Sequence, residues 1–399
     1  MTNVKKIWKQ LPGWNESRGV RIAWIFLFIV GFIAFTGPFI ANEKPYMCRL
    51  EGKTYFPLFS GTSASTLSAM HPSSSPVDWL TTDFESIWRT PIPYSHHTID
   101  LKSGSNLSPF DRSASIRFRH WLGTDPLGRD VMAGMIRGCR VSLLIGLGSM
   151  LLALMIGVPL GSAAAYWGNQ QWRASFLRVM LILVFFAMLL YFLWMPFSMT
   201  MKLLFIALLI GVFVGLWYIS GKMHLKQISV PVDQFVMGLA SIIDSFPGLF
   251  IILILLFIIP VKGWMIVLLA IALLRWPSMA RYMRAEVYKM KESNYIKAAQ
   301  VLNLNDLYIM RKHIIPYAFR PVMISFIFGV SSAILAESSL SFLGIGLPAE
   351  EVNWGRLLSQ ARNHFDSWWL VFFPGAAIFM TLLSLYTIGN ALQKKVMTS

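Results

Sequence analysis

The sequence has few charged residues, which make up 14% of its 399 positions. Soluble domains carry roughly a quarter charged residues. Here 55% of the residues are hydrophobic and the mean hydropathy is +0.57. Acidic residues are scarcer still, 19 against 35 basic ones, which gives a formal net charge of +16. The Lys and Arg residues lie mainly at the ends of apolar runs, which indicates membrane topology and disfavours nucleic-acid binding. The composition predicts a multi-span membrane protein.

Several motifs that carry chemistry are missing. There is no Gly-x-x-x-x-Gly-Lys-Ser/Thr loop, so no P-loop hydrolyses ATP here, and neither His-Glu-x-x-His nor Gly-x-Ser-x-Gly occurs. Cys48 and Cys139 are far apart and match no metal spacing, so both are predicted to be unpaired. The adjacent His96 and His97 lack a third ligand, and we expect them to point apart. We therefore expect a non-enzyme with no catalytic residue, metal or cofactor of its own.

Long uncharged runs predict an all-α integral membrane protein with about eight transmembrane helices. They lie in 1–41, 139–167, 176–201, 202–221, 234–260, 263–284, 320–342 and 368–391. The first run is longer than a signal-peptide core, so we expect a cytoplasmic N-terminus followed by an uncleaved helix. Most Lys and Arg of the short segments fall on one side, which places both termini and residues 285–319 in the cytoplasm.

Two further segments of the sequence determine the rest of the predicted domain organisation. Residues 42–138 contain no span and predict a long extracytoplasmic loop, whose Ser/Thr/Pro-rich part, 61–76, reads as flexible. Residues 139–399 form the predicted membrane core. Within that core, 176–221 is a pair of uncharged runs divided only by Lys202, which predicts a helical hairpin that faces lipid. Gly157-x-x-x-Gly161 predicts a close helix contact, and Gly211-x-x-x-Gly215 predicts a contact with a neighbour, either the second span or a partner subunit.

Three ionisable residues fall inside predicted spans, namely Asp244, Arg275 and Glu337. Such residues are costly in a bilayer and usually pair inside the bundle. At 1.5 Å per residue, Asp244 and Arg275 come out at similar depth. We therefore expect them to pair directly or through one water, in either a structural or a pathway role.

A polar and basic segment from Glu292 to Pro316 separates two apolar runs and predicts two short helices beside the membrane. The first covers 295–302, with Ser293 or Asn294 as its cap. Asn303 suits a left-handed turn, and the second helix starts at Asn305 or Asp306 and ends before Pro316. Tyr295, Ala299 and Leu302 are predicted to share a face of the first helix.

This pattern, Tyr-x-x-Ala-Ala-x-x-Leu followed by a turn and Ile-x-Pro, resembles the coupling loop of ABC-importer permeases. That loop sits in a groove of the ATPase. Asn303 stands where the family has glycine. A basic loop produced by the positive-inside rule is the alternative. The residues that carry the resemblance are Glu292, Tyr295, Ala298, Ala299, Leu302, Asn303, Asp306 and Pro316.

A second resemblance lies before the run at 139. Gly-Thr-Asp-x-x-Gly-Arg-Asp and then Gly-x-Arg-x-Ser-Leu are similar to the signature of the C-type permease of dipeptide and oligopeptide importers. The first half comprises Gly123, Thr124, Asp125, Gly128, Arg129 and Asp130, and the second Gly138, Arg140, Ser142 and Leu143. By residue type alone, we expect Thr124-Asp125-Pro126 to begin a helix and the Arg129 side chain to pair with Asp125 or Asp130. The alternative is an ordinary capped turn. A third match runs through 340–344 and Trp354-Gly355.

The resemblance implies a six-span type I ABC-importer permease core with the extra hairpin. It implies a non-catalytic subunit that passes di- or oligopeptides, or related solutes such as nickel, across the bacterial inner membrane. The implied partners are a second permease subunit in a heterodimer, two ATPase subunits that carry ATP and Mg, and an extracytoplasmic substrate-binding protein. A secondary carrier or channel that uses the intramembrane charges is the alternative, although no internal repeat supports it. A membrane-embedded enzyme is a third interpretation, but it would need a convergent set of nucleophilic or metal-binding residues, and we find none in the sequence.

Overall fold

The computed structural model is mostly helical. It describes residues 17–70, 78–80, 82–100, 104–112, 115–169, 173–175, 180, 181, 184, 185, 188, 189, 199–222, 227–259, 263–348 and 351–398. Its helices are α1 (Arg18–Ile40), α2 (Pro57–Ser60), α3 (Ala64–Met70), α4 (Val131–Trp167), α5 (Met199–Lys222), α6 (Val232–Ser245), α7 (Gly248–Ile258), α8 (Trp264–Lys291), α9 (Asn294–Val301), α10 (Asp306–Ile309), α11 (Ile315–Phe342), α12 (Trp354–Gln360) and α13 (Trp369–Thr398). Its strands are β1 (Met47–Leu50), β2 (Lys53–Tyr55), β3 (Ser86–Trp88), β4 (Arg173–Ser175) and β5 (Gln227–Ser229). The predicted helical class is confirmed, and the strands, of three or four residues each, were not predicted.

Within the described ranges, five helical segments are long and apolar enough to cross a membrane: α1, α4, α8, Asp306–Phe342 and α13. The pair α6 and α7 makes a sixth if it is counted as one span, although it is bent by 91°. Eight spans were predicted. The first helix of the predicted hairpin, 176–201, lies largely outside the described residues. The boundary placed at Lys202 is wrong, because α5 is continuous from Met199 to Lys222.

The centre of the bundle is the contact between α4 and α8. Gly157 and Gly161 face the α8 backbone so closely that a Cβ on Gly157 would lie 2.6 Å from Met279 Cβ and 2.9 Å from Ala280 N. The predicted Gly-x-x-x-Gly contact is confirmed. Helix α11 completes this core, and α1 packs against α4 where Gly37 meets Ile136.

Helix α4 starts earlier than predicted, at Val131 rather than 139. Asp130 is its N-cap, and one carboxylate oxygen accepts from Ala133 N at 2.7 Å. The 37 residues of α4 give a length of about 55 Å, which exceeds the roughly 30 Å hydrocarbon core. The helix therefore projects beyond the membrane.

The described residues between 42 and 130 cover the end of the bundle at which α4 begins, which we call the outer end. Strand β1 pairs antiparallel with β2 and β3, with Cys48 opposite both Tyr55 and Ile87. Cys48, Leu50, Leu67 and Trp79 are buried together. The prediction of a flexible loop at 61–76 is wrong for Ala64–Met70, which forms α3, and 71–77 lies outside the described residues. Both cysteines are unpaired, as predicted.

Strands β4 and β5 join the two ends of the extra segment. They pair antiparallel, with Arg173 opposite Ser229 and Ser175 opposite Gln227. Of the segment between them, α5 is the longest part described. No described atom lies within 4 Å of a Cβ built on Gly211 or Gly215, so the predicted small-residue contact is not made within the described chain.

Candidate functional site

The polar segment between α8 and α11 lies at the end of the bundle opposite the outer end, which we call the inner end. There α8 ends at Lys291, α9 follows, and α10 leads into α11. We call residues 292–309 the knob. Asn303 has a φ of +53°, so the predicted left-handed turn between the two short helices is confirmed. Asn305 caps α10 by accepting from Leu307 N at 2.9 Å. The Ser293 hydroxyl instead donates to Met290 O at 2.5 Å, so the predicted side-chain cap of α9 is not formed by Ser293.

The helix that starts at Asp306 does not end before Pro316, and that prediction is wrong. After α10 the backbone makes a π-helical turn over Met310–Ile314 and continues directly into α11. Proline lacks an N–H and its ring clashes with the carbonyl four residues earlier in an α-helix. A π-turn carries one extra residue per turn and widens the backbone at this point. The wider turn lets the helix pass through Pro316 instead of stopping.

The knob exposes apolar side chains to solvent. Val301 is 85% and Leu302 74% exposed, and Tyr295, Leu307 and Tyr308 are also exposed. Exposed apolar patches of this kind mark interaction sites. Ala298 lies on the exposed side, whereas Ala299 is buried beside Ile296. The predicted face is corrected accordingly, because α9 turns Ala299 towards the bundle and presents Tyr295, Ala298 and Leu302.

A tyrosine of α4 ties the knob to the bundle, and the sequence reading missed it. The Tyr166 hydroxyl donates to Asp306 Oδ1 at 2.7 Å, and Lys291 Nζ donates to Tyr166 O at 2.6 Å. Tyr166 is buried, although it is the penultimate residue of α4. Aromatic residues at the end of an apolar run usually mark the membrane interface, which was the available signal. A shift of the knob therefore reaches α4 as well as α8 and α11.

A second connection at the inner end was also missed. Arg284 of α8 donates to both carboxylate oxygens of Asp233, at 2.5 and 2.6 Å, and the Tyr288 hydroxyl lies 3.3 Å from Asp233 Oδ2. Asp233 stands in the first turn of α6, where a negative charge suits the helix dipole. This bidentate pair fixes the start of α6 on α8.

The predicted direct pair between Asp244 and Arg275 is not formed. Asp244 forms an ion pair with Arg281, and both side chains are more than two-fifths exposed. The depth estimate assumed one straight span, but the 91° bend at Pro247 takes α6 away from the axis of α8. Arg275 is half-buried, and its guanidinium makes no hydrogen bond or ion pair with the described part of the chain.

Glu337 is fully buried near the outer end of α11. Its carboxylate accepts from Ser142 Oγ at 2.9 Å, from Ser341 Oγ at 3.2 Å and from the amide of Asn353. These donors come from α4, α11 and the N-cap of α12, so one carboxylate joins three elements. No cation contacts it among the described residues.

The outer motif forms a turn and not the start of a helix. Asp125 Oδ1 accepts from the backbone N–H groups of Leu127 and Arg129, at 2.9 and 2.8 Å, and Oδ2 accepts from Gln360 Nε2 at 2.9 Å. Arg129 thus meets Asp125 through its backbone and not through the predicted side-chain pair. Burial raises the pKa of Asp125, against the opposing effect of these hydrogen bonds. Gly123 and Gly128 have φ values of +80° and +79°, which the turn requires.

Further contacts attach this turn to the rest of the outer end. Thr124 is buried; its hydroxyl accepts from Leu107 N at 2.8 Å, and its carbonyl accepts from Trp369 Nε1 at 3.0 Å. Asp130, the cap of α4, also contacts His120 Nδ1 at 2.9 Å. The motif residues are therefore held together in one place, and Gln360 and Trp369 bring α12 and α13 to them.

Comparison with known proteins identifies membrane components of transport systems as relatives, which is consistent with the outer turn and the knob described above. Residues 219–398 match the family described as binding-protein-dependent transport system inner membrane component. Over these residues the chain is similar to the membrane subunits of binding-protein-dependent importers. The chain is 27% identical over 387 residues to the inner membrane ABC transporter permease protein YejE of Escherichia coli, which covers 95% of this chain and 93% of that protein.

Two further relatives of this chain have informative names. The peptidoglycan transport system permease protein YejE of Agrobacterium fabrum is 25% identical over 417 residues, covering 98% of this chain and 91% of its own. The oligopeptide transport system permease protein OppC of Bacillus subtilis is 26% identical over 275 residues, covering 69% and 70%. The predicted resemblance is confirmed, the apolar helices and the inner-membrane relatives support a multi-pass inner-membrane protein, and the matches give the carrier or channel alternative no support.

Proposed function

We propose that this permease forms one half of a pore that passes peptides or closely related small solutes into the cell. The names of the relatives, which include oligopeptide, glutathione and peptidoglycan transport permeases, support this substrate class. The other half of the pore is a second permease subunit. An extracytoplasmic binding protein delivers the solute, and two ATPase subunits supply the energy.

The observation that carries the proposal is the knob. It exposes Tyr295, Val301 and Leu302 at the inner end, while Asp306 anchors it to Tyr166 of α4. Ala298 leaves the exposed face low enough for a groove of the ATPase to close on it. When two ATPase subunits approach each other on binding ATP, the docked knob moves with them. Its attachments to α4, α8 and α11 convert that movement into a shift of the helices around the pore.

The finer features follow from this arrangement. ATP and Mg bind to the ATPase subunits, and this chain contributes no catalytic residue or cofactor. The knob, both termini and the rest of 285–319 face the cytoplasm, and residues 42–138 face outwards. The turn at Gly123–Asp130 fixes the outer end of α4. Glu337 has a structural role there, whereas Asp244 and Arg275 act separately. The extra segment 176–221 faces lipid at the periphery and takes no part in the pore.

Substituting Ala298 with arginine tests the docking assignment. The long charged side chain would stand on the exposed face of α9 and keep the ATPase groove from closing. We expect Ala298→Arg to insert in the membrane at normal levels and to lose nearly all peptide uptake, with the ATPase subunits no longer co-purifying. Ala298→Ser is the matched control, because it keeps the face low, and it should transport normally.

A cross-link gives an independent test of the same face. Both native cysteines are buried, so a cysteine placed at the exposed Leu302 would be the accessible thiol of the chain. We expect Leu302→Cys to cross-link to an ATPase subunit. Normal uptake by Ala298→Arg, together with no cross-link from position 302, would refute the docking assignment.

A further inference from the structure

A cavity of about 240 Å³ lies at the outer end between α1, α4 and the segment that contains His96. The last turn of α1 and the residues after it form one wall, including Gly37 and Asn42. Arg137 and Arg140 of α4 form the facing wall, one helical turn apart. The cavity lies beside α1, at the end of the bundle opposite the knob.

The cavity carries an uncompensated positive charge. Arg137 donates from Nη2 to both carboxylate oxygens of Glu351, at 3.1 and 2.9 Å, so its charge is neutralised. Arg140 has no acidic partner and no hydrogen-bond partner for its side chain anywhere in the described chain. Two buried nitrogens in the cavity wall, Arg137 Nε and His96 Nε2, also have no hydrogen-bond partner among the described residues. The cavity wall thus presents a positive charge and two unpartnered nitrogens, and its described lining includes no acidic side chain.

His96 adds no charge of its own. Burial and the neighbouring His97 and Arg137 lower the pKa of His96 to about 3, so it is neutral at physiological pH. Its ring lies 3.8 Å from that of His97, which corrects the expectation that the two point apart. A metal cation is disfavoured here, because both nearest ionised groups inside the cavity are arginines.

The cavity lies at the depth of the lipid headgroups. Helix α1 has 23 residues, or about 35 Å, and therefore just spans the roughly 30 Å hydrocarbon core. Its end, from Gly37 to Asn42, borders the cavity and reaches the interface at the outer end. Arginine is depleted on the outer side of inner-membrane proteins. A partly buried arginine at this depth is costly unless an anion compensates it.

We propose that this cavity binds the phosphate group of a phospholipid from the leaflet at the outer end, with Arg140 as the principal donor. The planar guanidinium matches phosphate oxygens in a two-pronged geometry, and the second arginine and His96 leave further nitrogens beside it. The acyl chains would lie against α1, whose exposed side chains include Phe32, Phe35 and Phe39. The charge that the chain leaves open is then neutralised by the membrane itself.

Native mass spectrometry of the permease, purified with its partner subunits in detergent, tests the proposal. We expect phospholipid to remain bound to the wild-type complex. The loss of one charged hydrogen-bond donor in Arg140→Gln should lower retention about tenfold. Arg362→Gln is the matched control, since Arg362 lies at the same end but stacks over Phe342 outside the cavity. Arg140→Lys keeps the charge and should retain more lipid than Arg140→Gln.

Thermal-shift measurements on the wild-type complex separate the sources of the phosphate and need no variant. A short-chain phosphatidylglycerol should raise the Tm, whereas the diacylglycerol with the same chains and inorganic phosphate at equal concentration should not. An equal shift with diacylglycerol would overturn the proposal, as would an equal shift with inorganic phosphate, which would indicate a free-anion site. A shift with a dipeptide and not with phospholipid would also overturn it, because the cavity would then belong to the transport path. Equal lipid retention by Arg140→Gln and wild type in the mass-spectrometry experiment would also overturn the proposal.

Discussion

His120 lies between two carboxylates at the outer end. Its Nδ1 is 2.9 Å from Asp130 Oδ1 and its Nε2 is 3.4 Å from Asp100 Oδ2, while its ring stacks on Tyr94 with centroids 4.4 Å apart. Burial opposes protonation of His120, but the two carboxylates outweigh it, and the net effect raises its pKa. Because Asp130 also caps α4, the protonated imidazole stabilises the start of the central helix.

The raised pKa predicts a pH-dependent stability of the outer end. A group with a raised folded-state pKa contributes stability that is fully present below its unfolded value, near 6.5. That contribution is lost as the pH rises through the folded-state pKa above 6.5. We therefore expect the Tm of the purified permease to fall as the pH rises from about 6 to 9.

The control for this prediction is His120→Gln, which keeps hydrogen-bonding atoms near Asp130 but cannot be charged. It should be less stable than wild type at pH 6 and should lose most of the pH dependence. An unchanged slope of Tm against pH in His120→Gln would show that other groups cause the effect.

The intramembrane carboxylates should differ sharply in their contribution to stability. The Asp244–Arg281 pair is more than two-fifths exposed at the surface of the bundle, so Asp244→Ala should cost less stability than removal of the fully buried Glu337 carboxylate. Glu337 is fully buried, and Glu337→Ala would remove the acceptor that Ser142, Ser341 and Asn353 share. We expect a loss of roughly 3 kcal/mol or more. Unfolding of both variants in detergent measures the difference, and similar losses would contradict it.

At the scale of single elements, the sequence correctly predicted the features that depend on the conformational and steric properties of individual residues. Asn303 adopts the left-handed turn because few other residues tolerate it, and Gly157 and Gly161 permit the contact with α8 because they lack side chains. The size of the bend at Pro247 was not predictable, since a proline permits a break but neighbouring helices set its angle. The pairing of Asp244 failed for that reason. The π-turn before Pro316 likewise depends on packing that holds α10 and α11 in line.

The hydrogen bond between Tyr166 and Asp306 predicts a loss of coupling when it is removed. Tyr166→Phe keeps the buried ring and deletes only the hydroxyl that holds the knob to α4. A hydrogen bond to a charged group contributes about 1.5–3 kcal/mol. We expect the complex to assemble and hydrolyse ATP, but to use several times more ATP per peptide imported, as measured in proteoliposomes.

Tyr308→Phe is the matched control for this measurement. Tyr308 is also in the knob, but it is exposed and its hydroxyl meets only the neighbouring Lys312 among the contacts described. It should leave the ratio of ATP to peptide unchanged. Equal ratios for wild type and Tyr166→Phe would show that α4 is not part of the coupling path.

For the whole molecule, the run lengths predicted a helical membrane protein, whereas the small sheet at the outer end was not predicted. Its strands have three or four residues, and only Cys48 and Leu50 of β1 are buried. Such short strands show no alternation that a sequence pattern can detect. The packing partners Leu67 and Trp79 come from distant positions and are brought together only by the fold.

The pairing of β4 with β5 allows the extra segment to be removed cleanly. Deleting 176–226 and joining Ser175 to Gln227 through Asn-Gly would leave the two strands connected by a tight hairpin turn. The exposed side chains of α5, such as Leu204, Leu208 and Val212, indicate that it contributes little to the bundle. We expect the shortened permease to assemble and to import peptide at a rate within about twofold of wild type.

Two results would decide this prediction. Assembly with the partner subunits but no uptake would place the segment in the transport path. In a second design, a Gly-Ser linker replaces Asn-Gly. Failure of the Asn-Gly design alone would indicate a faulty turn, whereas failure of both designs would indicate that the segment is required.

Helix α4 is a single helix that connects the outer end of the protein to its inner end. Its first residue follows the Asp130 cap beside His120, and its penultimate residue holds Asp306 of the knob. About 55 Å separates these two attachments, and only Pro159 interrupts the helix. A rod held at Gly157 and Gly161, about 42 Å from its outer end and about 12 Å from its inner end, moves the two ends in opposite directions, so a tilt of about 5° displaces the outer end by about 4 Å and the inner end by about 1 Å. Inward travel of the knob is therefore outward travel of the turn at Gly123–Asp130.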